Sequence, residues 1–259
     1  MSAGKVGARL SYVWCTVLRC RFTRVSVRGA YMGKILLKPV RADVNYQGQF
    51  ADFAFETLAT PAPLYRSLLK HLRQYEFTLD SLSYESHPVS ETKISCYQLA
   101  LSTHIWIRLN RLEIAFLKMH EVGGGIAQQI LLGAWNAIQE VSPSIQAVEH
   151  RVQGNIDFQI QDATYDSLIR HYVTTPSALG EQTRAGVVFY LPQDATVGVR
   201  GGHVILDSGV AQEPHLGFRM LIILDAQQVP VNTLDARVNE CLIRYLDCLG
   251  LALEQENKG

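Results

Sequence analysis

Three consecutive glycines, Gly123, Gly124 and Gly125, follow the pair His120 and Glu121, where a strand-like apolar run gives way to a helix-like one. Glycine tolerates positive φ, and the free N–H groups of a helix start can hold an anion. A phosphate loop requires Lys and Ser or Thr after its glycines, and a dinucleotide loop requires GxGxxG in a parallel βαβ unit. Neither pattern is present. We therefore predict a strand-to-helix hinge, with a weak anion site as the alternative.

The eight histidines show none of the short spacings of a metal site, because HxxxH, HExxH and HxH are absent. His203 and Asp207 lie four apart on a predicted strand and share one face; with His120 and Glu121 they are the best acid-base candidates. The sequence has no GxSxG motif and no cysteine next to a base, so it indicates no catalytic nucleophile. We predict no catalytic residue, no metal and no cofactor, and a protein that is more consistent with a binding function than with an enzyme.

The charge of the chain is unevenly distributed, although 24 Lys and Arg balance 24 Asp and Glu. Residues 1–42 contain nine basic residues and no acidic one, so the rest of the chain has an acidic excess of nine. A body with this charge is poorly suited to follow phosphates, which argues against general nucleic-acid binding. No run of 18 uncharged apolar residues exists, so no membrane-spanning helix is expected.

The five cysteines are scattered and show no CxxC pair, which is typical of reduced thiols in a cytoplasmic protein. Cys241 and Cys248 are seven residues apart in an apolar helical register, so both are predicted to pack in the core. Residues 1–31 have three interpretations: an organelle transit peptide, a basic tail that contacts an acidic partner, or an upstream extension. The third is favoured because the sequence from Met32 looks like a natural beginning.

The spacing of apolar residues predicts the order of elements from residue 50 onwards. The first half contains a short aromatic strand at 50–55, a helix at 60–75, strands at 78–85 and 93–101, a hairpin at 104–119 that turns at Asn110, and a helix at 126–141. The second half contains a strand at 146–160, a short helix capped by Asp162, strands at 185–191, 196–206 and 217–224, and a final helix from Thr233.

Each half therefore has the order strand, helix, antiparallel strands, helix, and the two halves resemble copies of one unit. The predicted fold is α+β, with one antiparallel sheet and helices packed on one face. We divide the chain into a basic N-terminal extension (1–42) that is outside the fold, a first unit (43–143) and a second unit (144–259).

This order of elements resembles a family of uncharacterised bacterial proteins of sporadic distribution, over about residues 48–252. The similar segments are the hairpin IWIRLNRLEIAF (105–116), the strand HRVQGNIDFQI (150–160) and the apolar strand GFRMLIILDA (217–226). Residues 154–157, Gly-Asn-Ile-Asp, depart from the Arg-Tyr-hydrophobic-Asn pattern expected for that family. The resemblance implies a bacterial, cytoplasmic protein, and it brings no catalytic residue with it.

The leading functional hypothesis is a non-enzymatic interaction or assembly factor that binds another macromolecule, most plausibly a protein, and forms a homo-oligomer through a sheet edge or helix face. The first alternative is a small-molecule or lipid-binding module with a cavity between sheet and helices. A hydrolase or transferase with its site around His120, Glu121 and the glycines is the weaker alternative. The cavity of the first alternative would be lined by Trp106, Trp135, Phe158, Tyr172, Phe189 and Tyr190.

Overall fold

The computed structural model describes residues 34–173, 185–207 and 215–254, which contain ten strands and six α-helices. In the first part of the chain these are β1 (Ile35–Phe50), α1 (Phe55–Ala59), α2 (Pro61–Leu72), β2 (Leu82–Glu85), β3 (Lys93–Gln98), β4 (Thr103–Arg108), β5 (Arg111–Phe116), α3 (Met119–Val122) and α4 (Gly124–Val141). They are followed by β6 (Ala147–Ile160), α5 (Tyr165–Tyr172), β7 (Val187–Leu191), β8 (Val199–Asp207), β9 (His215–Asp225), α6 (Leu234–Cys248) and β10 (Leu251–Leu253).

All ten strands belong to one sheet, in the order β2-β3-β4-β5-β1-β6-β9-β8-β7, with β10 beside the start of β1. Neighbouring strands are antiparallel, except that β10 runs parallel to β1. The long strands β1 and β6 pair at the centre, and a meander of shorter strands extends outward from each of them. The predicted α+β class is confirmed, whereas an origin by duplication and the boundary between the two units stay predictions.

The helices pack on one face of this sheet. In residues 46–50 of β1 and 150–160 of β6, every second residue is buried on that face, as the period of a β-strand requires. Helix α4 covers it with a wide apolar stripe, and α2 packs against α4 through Leu64, Leu68 and Leu72. Glu140 on α4 also binds α2, because its carboxylate accepts hydrogen bonds from Lys70 Nζ, from His71 Nε2 and from Ser67 Oγ at 2.8 to 2.9 Å.

A hydrogen-bonded chain of three buried polar side chains crosses the sheet–helix interface. Trp135 Nε1 on α4 donates to Tyr46 Oη on β1, and Tyr46 Oη lies 2.8 Å from Nδ1 of His150 on β6. Since the indole can only donate, the Tyr46 hydroxyl accepts that bond and can donate its own proton to Nδ1. Burial lowers the pKa of His150 to about 4, so the ring is neutral at neutral pH.

Two local predictions are wrong. Residues 50–55 are not a strand: Phe50 ends β1, Phe53 lies in the connecting segment, and Phe55 starts α1. The cap of α5 is Thr164, which shares a capping box with Ser167, while Asp162 accepts a hydrogen bond from the backbone of Leu36. Residues 35–42, which we assigned to the extension, lie in β1, and residues 1–31 are outside the described part of the chain.

Within residues 34–173, 185–207 and 215–254, no helix combines the length and hydropathy of a membrane span.

The face of the sheet opposite the helices is called the open face here, because its side chains are half-buried or exposed and no described helix packs on it. The open face carries Tyr97 on β3, His104, Trp106 and Arg108 on β4, Arg111 and Glu113 on β5, Asn45 and Gln47 on β1, Arg151, Gln153 and Asn155 on β6, Leu221 and Ile223 on β9, His203 and Ile205 on β8, and Val188 and Tyr190 on β7.

Candidate functional site

The predicted glycine segment joins α3 to α4 at the end of the hairpin. Gly123 ends α3, with its N–H donated to Met119 O, and it precedes Gly124, the first residue of α4. His120 Nδ1 accepts the backbone N–H of Ala42 at 3.3 Å, so this side chain ties α3 to β1. Its Nε2 lies 3.8 Å from the carboxylate of the exposed Glu121. The segment joins two helices rather than a strand and a helix, and its role as a ligand site stays a prediction.

Of the three glycines, Gly123 is the one whose backbone conformation in the structure favours glycine. Gly123 adopts φ +82°, a region that L-residues other than glycine seldom occupy, whereas a Cβ at Gly125 would meet no atom within 4 Å. We expect Gly123→Ala to lower the free energy of unfolding by about 1 to 2 kcal/mol. Gly125→Ala should raise it by up to about 1 kcal/mol, because alanine is the better helix former. Urea unfolding of both variants tests this prediction. Equal changes in the free energy of unfolding would mean that position 123 has no special need for glycine.

The other sequence candidates are dispersed. In the described residues no three His, Cys, Asp or Glu side chains are grouped so that they could hold a metal ion. His203 and Asp207 both lie on β8, but His203 faces Tyr190 and Leu221 in the neighbouring strands. Cys241 is buried as predicted, whereas Cys248 is exposed, because it lies at the last turn of α6, where the packed stripe ends.

The six aromatic residues proposed as a cavity lining are divided between two faces of the sheet. Trp135 and Phe158 are buried and pack edge-on against Phe50 and Phe218, with ring centroids 5.8 and 5.4 Å apart. Tyr172 packs similarly against Phe189. These contacts fill the sheet–helix interface with rings. Trp106 and Tyr190 lie on the open face instead.

On the open face, three rings form a continuous ladder, which we call the ring ladder: Tyr97, His104 and Trp106. The centroids of Tyr97 and His104 are 4.1 Å apart, and those of His104 and Trp106 are 5.2 Å apart with an interplanar angle of 14°. Burial lowers the pKa of His104, which favours the neutral ring. The ladder therefore presents an aromatic surface that is only partly covered and in which Tyr97 is tilted against His104 by 33°.

Beside the ring ladder, Glu113 collects hydrogen bonds from three neighbours: Gln47, Arg108 and Arg111. Burial alone would raise the pKa of Glu113, but these donors outweigh it and hold the pKa below its usual value. The carboxylate is consequently ionised, and it offsets one of the two positive charges that it binds. This cluster fixes the orientation of the polar side chains around Trp106.

Other cations of the open face also have a carboxylate or amide partner. Arg151 lies 3.2 Å from Glu149, and Lys93 lies 3.0 Å from Glu85. Arg219 donates through Nε to Asn155 Oδ1 at 2.6 Å. Because each of these cations has a partner within the face, a phosphate group would have to compete with that partner for it.

A shallow pocket of about 230 Å³ lies at the centre of the open face, beside Trp106. Its lining includes the amide side chains of Asn45, Gln47 and Gln153, together with Arg151. Each amide can donate and accept hydrogen bonds, as a peptide group does. Arg108 and Glu113 line the same pocket, so it offers charged as well as amide groups to a polar ligand with both donors and acceptors.

Comparisons with known proteins leave the family of this chain open. No protein-family model matches the chain, and no curated protein matches it. Among solved structures, the Methanococcus jannaschii TBP is similar at 13% identity, covering 83% of this chain and 98% of that one, with a TM-score of 0.31. The aspartate kinase of Clostridium acetobutylicum is similar at 9% identity over 82% of this chain and 36% of the kinase, with a TM-score of 0.19. At these scores neither likeness carries an argument about fold or function.

Proposed function

We propose that the protein is a non-enzymatic interaction factor that binds another protein through its open face. The observation that carries this proposal is the ring ladder beside an amide-lined pocket on a sheet face that no described helix covers. Protein interfaces are enriched in aromatic and Arg side chains at their centre, with a rim of polar groups around it. The open face has this composition.

The internal pairing of charges favours a protein over a nucleic acid as the partner. A nucleic-acid surface would need cations free to displace counterions, whereas Arg108, Arg111 and Arg151 are each held by a carboxylate. The amides of the pocket suit a peptide backbone or a side-chain amide of the partner. We also propose a bacterial cytoplasmic location, which rests on the cysteine pattern and on the family resemblance.

Replacing Trp106 by alanine is expected to weaken partner binding at least tenfold, because a central aromatic residue in a partly desolvated pocket typically dominates an interface. The full-length protein should be used as bait in a nuclease-treated extract of its native organism, and the recovered protein titrated by calorimetry. Phe53→Ala is the matched control, since Phe53 is an exposed aromatic residue outside the sheet.

The controls separate three outcomes. Loss of binding with Trp106→Ala and retention with Phe53→Ala supports the proposal. Equal binding by both variants contradicts the proposal. A partner that is recovered from an untreated extract but not from the nuclease-treated one contradicts it as well. Tyr97→Ala, which shortens the ring ladder at its exposed end, should weaken binding as well, and circular dichroism should show that all three variants are folded.

A further inference from the structure

The described sheet ends at β7, which pairs only with β8 among the described strands. Its five residues, Val-Val-Phe-Tyr-Leu, contain no charge, proline or glycine. Natural sheets usually protect an edge with a charge, a proline, a bulge or a covering element, because an edge strand offers free backbone donors and acceptors. The five residues of β7 supply neither a charge nor a proline for this purpose.

The opposite edge, β2, is protected. It ends at Glu85, which pairs with Lys93. Tyr84 on β2 donates its hydroxyl proton to the carbonyl of Leu58 at 2.8 Å, which fastens this edge to α1. The difference between the two edges indicates that β7 has a use that β2 lacks.

Two side chains of β7 expose apolar surface beside that edge. Tyr190 is 83% exposed and Val188 is 46% exposed, although both are large hydrophobic residues. They face the same side of the sheet as His203 and Ile205, with which they pair on β8. An exposed apolar strand at a sheet edge is the surface expected to pair with another strand.

We propose that β7 pairs antiparallel with β7 of a second copy of this chain, around a two-fold axis at Phe189. This register places Val187 opposite Leu191, Val188 opposite Tyr190 and Phe189 opposite its own counterpart. Every pair is apolar, and the Val188–Tyr190 pair belongs to the aromatic–β-branched class that stabilises antiparallel strands. No like charges are brought together, so the edge is complementary to itself.

The pairing joins two sheets edge to edge and leaves both open faces free. It is therefore independent of the proposed partner binding, and either can fail without the other. Two five-residue strands bury less surface than a typical stable interface, so the dimer should dissociate on dilution through the micromolar range.

Light scattering after size exclusion, over a series of concentrations of the full-length protein, tests the dimer. The wild type should shift from dimer to monomer on dilution, and Tyr190→Lys should be monomeric throughout, because it places two cations at the shared edge. Leu79→Lys is the control, since Leu79 is 69% exposed and lies outside the strands. A wild type that is monomeric at all concentrations overturns the proposal, and so does a dimer that survives Tyr190→Lys or is lost in Leu79→Lys.

Hydrogen exchange identifies the surface directly. Backbone amides in residues 187–191 should exchange at least several-fold more slowly at concentrations where the dimer forms, because pairing adds hydrogen bonds on the outer side of β7. The Tyr190→Lys protein should show no such change. A dimer that leaves exchange in this strand unaltered, and slows it elsewhere, would assign self-association to another surface and overturn the proposal.

Discussion

Gly48→Ala is expected to lower the free energy of unfolding by about 3 kcal/mol, which is the upper end of the usual cost of overpacking a core. A Cβ on Gly48 would lie 2.4 Å from Tyr46 Oη and 2.6 Å from Trp135 Cζ2. Both rings are buried, and the hydrogen bond between them fixes their positions. Neither ring can move away without losing that bond or displacing α4, so the added methyl group disturbs the whole interface.

Gly154→Ala is the matched control for this prediction. Gly154 lies on the neighbouring central strand β6 and is also buried, but a Cβ there would meet only Ile156, at an ordinary distance of 3.8 Å. We expect its free energy of unfolding to stay within about 0.5 kcal/mol of the wild type. Urea unfolding of the two variants provides the measurement. If both lose the same stability, glycine is required for the strand backbone and not for the two rings.

The elements with strong local periodicity were predictable from the sequence. The hairpin of β4 and β5 is confirmed, with its turn at Leu109 and Asn110, because the buried Ile105 and Ile107 alternate with residues of the open face. The helix α4 is confirmed because its apolar residues recur at helical spacing up to Val141, before Pro143. In these segments the local pattern and the tertiary packing favour the same structure.

The strand β1 is the element that the sequence analysis predicted least well. Most of its length was not assigned, because Pro39, Gly48 and several charged residues interrupt the apolar pattern that marks a central strand. Pro39 is accommodated next to a register shift against β6, and Gly48 leaves room for the rings of Tyr46 and Trp135. Both exceptions have causes in distant parts of the chain that a local pattern does not contain.

The open face was missed for the same reason. Gln47 and Glu113 are 66 residues apart in sequence, and their contact depends on the pairing of β1 with β5. The alternation of Asn45, Gln47 and Gln49 with Tyr46, Gly48 and Phe50 was a usable signal for one polar face. By contrast, the glycine motif is visible because it is contiguous, although its conformation explains it as a helix junction.

Acidification from pH 7 to pH 5 is expected to cost about 2 kcal/mol of stability through His150, and about 3 kcal/mol in all by pH 4. The folded pKa of His150, about 4, lies below the value of 6.5 for an exposed histidine. Between these two values the unfolded chain binds a proton that the folded protein does not. Stability therefore falls as pH decreases through this window, and the loss is nearly complete below the folded pKa. The cause is burial of the ring, in a position where its Nδ1 lies 2.8 Å from the Tyr46 hydroxyl.

His150→Asn isolates this contribution, because the amide oxygen of asparagine can occupy the place of Nδ1 and accept the Tyr46 proton without titrating. The variant should be less stable at pH 7 but should lose about 2 kcal/mol less than the wild type between pH 7 and pH 5. His104, whose pKa is also lowered, is present in both proteins, so its effect cancels in the comparison. Urea unfolding at pH 7, 6 and 5 gives the two slopes. Parallel slopes would mean that His150 is protonated as readily in the folded protein as in the unfolded chain, and that the buried chain from Trp135 to His150 does not keep this ring neutral.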